Sequence, residues 1–164
     1  MKIKNRLKTI GLFSVLILTM IMSGCSFNGG RSVKQYVDTV KDDMRSAVNI
    51  TRELKKANET LDCRNKEFAK EYIVSLQQLE DKYAELSCLD APERYIDLDN
   101  DLKTWCETAL SSVSKIKMLV TTAMNTSDDK LFRQNQEGIM IEYDKAVNEL
   151  VDISSQITTR YRND

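Results

Sequence analysis

Residues 33–61 read VKQYVDTVKDDMRSAVNITRELKKANETL, and their spacing decides the fold. Val33, Val37, Val40, Met44, Ala47, Thr51, Leu54, Asn58 and Leu61 recur at alternating intervals of four and three, so they form one stripe of a helix, with charged residues on the opposite face. A stripe this long must be buried against other helices, and three more follow it. Phe68, Tyr72, Leu76, Leu79, Tyr83 and Leu86 make the second. Tyr95, Leu98, Leu102, Trp105, Ala109, Ser112, Ile116, Leu119 and Ala123 make the third, and Phe132, Gln136, Ile139, Tyr143, Ala146, Leu150, Ile153 and Ile157 the fourth. No segment alternates with period two, so strands are not expected.

The interruptions carry helix-end chemistry. Asp62-Cys63-Arg64-Asn65 separates the first two stripes, with Asn65 placed to cap the helix that follows. Asp90-Ala91-Pro92-Glu93 holds the only proline, which suits a first turn, and Asp90 is the expected cap there. Asn125-Thr126-Ser127-Asp128-Asp129 offers hydroxyl caps followed by acids that suit a helix N-terminus. Arg160 and Arg162 suit the opposite end. Four long helices with short connections predict an all-α, antiparallel up-down-up-down four-helix bundle over residues 33–162.

Upstream of the bundle lies a different kind of segment. Lys2, Lys4, Arg6 and Lys8 stand without an acid among them, and residues 10–22 are apolar apart from Gly11, Ser14 and Thr19. A basic start, a short apolar middle and a small-residue exit describe an export signal, and the run falls short of the roughly 20 residues that span a bilayer. Its end, Met22-Ser23-Gly24-Cys25, resembles the lipobox of bacterial lipoproteins, with Met22 where leucine is usual. The resemblance covers the first 25 residues only. It implies a signal peptide over residues 1–24, a diacylglyceryl thioether on Cys25, and a short tether over residues 25–32 that holds the bundle on the extracytoplasmic face of the cell membrane.

Loss of the signal takes the basic count from 24 to 20 against 25 acids, a mature net charge of −5. That balance, with no basic stripe interleaved with aromatics, excludes a nucleic-acid surface. The chain has no histidine, which removes Ser/His/Asp and Cys/His catalysis, the Glu-x-x-His di-iron pattern and histidine-bound haem. No metal-ligand spacing or cofactor motif is present, and a non-enzymatic role is expected. Of the carboxylates, Asp97, Asp99 and Asp101 with Glu93 nearby form the densest group, read here as a solvated face. Cys63, Cys88 and Cys106 remain in the mature chain; bridging needs Cα atoms within about 7 Å, which antiparallel packing denies to every pair, so three free thiols are expected.

Two functional classes fit. One is a tethered module that binds an envelope protein, with the two turns remote from the tether, Arg64, Asn65 and Lys66 together with Ser127, Asp128 and Asp129, as the contact tip. The other is a bundle that takes a small molecule or cell-wall fragment between its helices, where Thr51, Asn58, Ser112 and Gln136 would line the pocket. Gly138, beside the fourth stripe, is expected to mark a bend or a close contact.

Overall fold

A computed structural model describes residues 32–163. The lipobox, Cys25 and residues 25–31 of the tether lie outside that range. Within it, helix α1 spans Val33–Thr60, α2 Lys66–Ser87, α3 Ile96–Thr126 and α4 Asp129–Arg162. A single 3-10 turn, Glu93–Tyr95, leads into α3. Each helix packs against the next and α4 closes back on α1, which makes a four-helix bundle with no strand among the described residues.

Local chemistry starts each helix. Ser32 and Gln35 form a reciprocal capping box at α1: the Gln35 amide donates to the Ser32 hydroxyl oxygen at 3.3 Å, and the Ser32 amide to the Gln35 side chain at 3.1 Å. Asn65 caps α2 as expected, accepting from the Phe68 amide at 3.2 Å. The other two starts differ from the sequence reading. Asp90 does not cap α3; Pro92 opens the 3-10 turn, and the chain enters α3 through Tyr95 without a side-chain cap. A proline at the turn's entry already removes one amide that would need a partner, so little is left for Asp90 to satisfy. At α4 the cap is the Asp128 carboxylate, which accepts from the Lys130 amide at 3.0 Å. Helix α3 runs on to Thr126, and Ser127, at φ 55°, breaks it in the left-handed region.

The α1, α2 and α4 stripes form the core largely as spaced. Tyr36, Val37, Val40, Met44, Leu54, Tyr72, Leu76, Leu79, Leu86, Phe132 and Leu150 are all buried. Tyr36 was no part of the α1 stripe, yet it is fully enclosed. The α3 stripe is rotated by about one residue. Trp105, Ser112 and Leu119 are only half-buried, whereas Asp99, Cys106, Val113 and Val120 are enclosed. Helix α3 touches both α2 and α4, so its buried face is centred between two neighbours rather than on the line of its largest side chains.

Burial of Asp99, only 3% exposed, corrects the reading of the acidic group as a solvated face. Its Oδ1 accepts from the Tyr36 hydroxyl at 2.9 Å and its Oδ2 meets Lys103 Nζ at 2.7 Å. With both oxygens satisfied, an enclosed carboxylate is tolerated. Asp97 stays outside, clamped by Arg160, whose Nη2 donates to it at 2.8 Å. That guanidinium holds the Asp97 carboxyl down at about 2.

Candidate functional site

The contacts of Tyr36 with Asp99 and of Asp97 with Arg160 bring the start of α1, the start of α3 and the end of α4 to one end of the bundle. At the other end the Asp129 carboxylate joins the two remaining turns: its Oδ1 accepts from the Cys63 amide at 3.0 Å, while its Oδ2 accepts from Arg133 Nε at 2.9 Å. All six expected tip residues therefore lie at the end remote from Ser32. Their roles divide. Asn65 and Asp128 are helix caps, and Asp129 is a half-buried strut between the turns. Arg64 is fixed against its neighbour, its Nε and Nη2 donating to the two oxygens of Asp62 at 2.9 and 2.8 Å, and this lowers the Asp62 carboxyl to about 2. Arg64, Lys66 and Ser127 are the exposed side chains left to meet another molecule.

The polar residues of the core are spent on one another. Asn58 Nδ2 donates to the Gln136 carbonyl at 3.4 Å, and the Gln136 side-chain amide returns a bond to the Asn58 carbonyl, which clasps α1 to α4. The Tyr72 hydroxyl donates to Asn58 Oδ1 at 3.4 Å and shares a 2.7 Å hydrogen bond with Tyr143. Thr51 donates back to the Ala47 carbonyl at 2.8 Å and lies within hydrogen-bond reach of Tyr83. No buried side-chain nitrogen or oxygen among the described residues is left without a partner. Beside Tyr83, Trp105 and Tyr143 there is a space of about 40 Å³, room for a few waters at most. Ser112, the fourth expected pocket residue, sits half-buried at its rim.

All three thiols are unbridged. Cys63 and Cys106 are fully enclosed, and burial pushes them up to about 11 and about 12. A thiolate there is strongly disfavoured, so neither is a poised nucleophile. No three His, Cys, Asp or Glu side chains among the described residues are grouped to hold a metal ion, and no described helix is long and apolar enough to cross a membrane.

A feature absent from the sequence reading lies between α3 and α4. There a groove of about 570 Å³ is lined by Ile116, Met118 and Leu119 on one wall and by Leu131, Gly138 and Ile139 on the other. Met118 is the most exposed large apolar side chain described, at 67%. Gly138 does not make the close contact that was one of the two roles expected of it: a Cβ there would meet nothing within 4 Å. Relative to alanine it costs the helix up to about 1 kcal/mol. The sequence signal was a glycine and a methionine both off their stripes, visible only once the two helices are known to be neighbours.

No family model, curated protein or solved structure matches this chain.

Proposed function

We propose that this chain is an extracytoplasmic lipoprotein, anchored to the cell membrane through lipid on Cys25, whose four-helix bundle is a non-enzymatic module that binds an envelope protein. The observation that carries the reading is the polarity of the bundle. The helix that leaves the tether begins at Val33, and both turns bearing Arg64, Lys66 and Ser127 lie at the opposite end. A spacer from Cys25 to Ser32 reaches at most about 3.6 Å per residue, so the first turn of α1 stays within roughly 30 Å of the bilayer, and a bundle standing upright on it carries the tip outward. The alternative, a small molecule or cell-wall fragment held between the helices, draws less support, because Thr51, Asn58 and Gln136 bond within the core instead of facing a cavity.

Two measurements test the proposal. Clickable fatty acid fed to cells should label the wild type and leave Cys25→Ala unlabelled; equal labelling removes the anchor. For the tip, a photo-crosslinker at Ser127 in tethered protein should give one dominant adduct that R64E/K66E abolishes and that Asp101→Lys on the bundle side leaves intact. An adduct lost with Asp101→Lys and kept in R64E/K66E would reject the tip as the contact.

A further inference from the structure

We propose that the groove between α3 and α4 is the interface of a parallel two-fold homodimer, in which Met118 of each copy enters the space beside Gly138 of the other. The two helices are antiparallel and joined by Ser127 and Asp128 alone, so heights along the bundle can be read from that turn. Met118 stands about 12 Å and Gly138 about 13.5 Å below it at 1.5 Å per residue. Both line the same groove. Rotation about an axis along the bundle sets α3 of one copy against α4 of the other at equal height, which brings the protruding Met118 onto the vacant face of Gly138 twice over. A two-fold interface requires such self-complementarity, and methionine is the side chain best able to fill an irregular gap.

Charge selects the same arrangement. Lys115 and Glu142 both line the groove, and neither has an ion-pair or hydrogen-bond partner among the described residues. They lie about 16 and 20 Å below the turn. The parallel dimer opposes Lys115 of one copy to Glu142 of the other. The inverted dimer, with its axis across the groove, would instead bring the two Lys115 side chains together near its centre and cost electrostatic energy. Two copies tethered to one membrane also meet in the parallel sense, and this last point alone rests on the anchored reading.

The experiment uses Gly138→Leu. Open space at Gly138 lets the chain accept the side chain, and leucine is the better helix former, so the melting temperature taken at concentrations low enough for both proteins to be monomeric should hold or rise. The filled hole should nevertheless weaken dimerisation on the order of tenfold or more, read by sedimentation equilibrium of the full-length chain in non-ionic detergent. Cys25→Ala should dimerise like the wild type, which separates this proposal from the lipid anchor. A monomeric wild type, or a dimer indifferent to Gly138→Leu, would overturn it. Register is checked in a Cys88→Ser background by co-expressing differently tagged Met118→Cys and Gly138→Cys copies: oxidation should join the two to each other, and Val74→Cys on α2 should join neither. Crosslinking of Met118→Cys to itself would establish the inverted axis and refute the parallel one.

Discussion

Asn58 illustrates what a single side chain does in this core. Its amide bonds the α4 backbone at Gln136, its carbonyl oxygen accepts from Tyr72, and its own backbone carbonyl accepts from Gln136. Asn58→Leu keeps the branched shape and heavy-atom count but leaves Tyr72 with Tyr143 alone and removes half of the clasp. The expected loss is about 1–3 kcal/mol, the cost of orphaning enclosed polar groups, measured as a lower urea midpoint with unchanged slope. The spacing of α1 marked Asn58 as a core position without naming its partner. Gln136 is 78 residues away, and no local pattern links them. Asp99 was hidden for the same reason: the carboxylate looks solvated until Tyr36, 63 residues earlier, is brought against it.

At the scale of elements, the connection between α1 and α2 and the one between α3 and α4 depend on each other. The Asp129 carboxylate satisfies the Cys63 amide and steadies Arg133 at once, so it ties a loop to a helix start. Asp129→Ala should cost about 1–3 kcal/mol, within the range for a charged group that bonds a part-buried amide. Asn65→Ala, which removes only a cap, should cost about 1 kcal/mol. Thermal melts followed by circular dichroism would rank them, and a larger loss at Asn65 would reverse the assignment of Asp129 as the strut. The helices themselves were legible because three of the four stripes bury one narrow face. Helix α3 was legible in extent but not in phase: its heavy residues, Trp105 and Leu119, sit at the margins, and the indole of Trp105 reaches out to Glu149. The α3/α4 groove lay beyond reach, since neither Met118 nor Gly138 signals anything until the other is beside it.

For the molecule as a whole, the enclosed thiols and phenols set a limit on the alkaline side. Burial raises Cys63 to about 11, Cys106 and Tyr83 to about 12, and also raises Tyr36, Tyr72 and Tyr143. Each of these groups binds its proton more tightly in the bundle than in the unfolded chain. Their stabilisation is fully present below the unfolded values near 9 for the thiols and 10 for the phenols, and is lost as pH rises through the folded values. The acid side is different in kind. Asp62 and Asp97, lowered to about 2, favour the fold above their ordinary range and lose that contribution as pH falls toward 2, but both are solvent-facing and the effect is small. Stability should therefore be flat from pH 5 to 8 and fall steeply between 9 and 12. The melting temperature at pH 10.5 should lie well below that at pH 7, and Cys106→Ala should flatten part of the slope, because it removes one of the protons that the unfolded chain releases first. An alkaline limb unchanged by Cys106→Ala would mean that this thiol ionises alike in both states and would overturn its part in the alkaline limit.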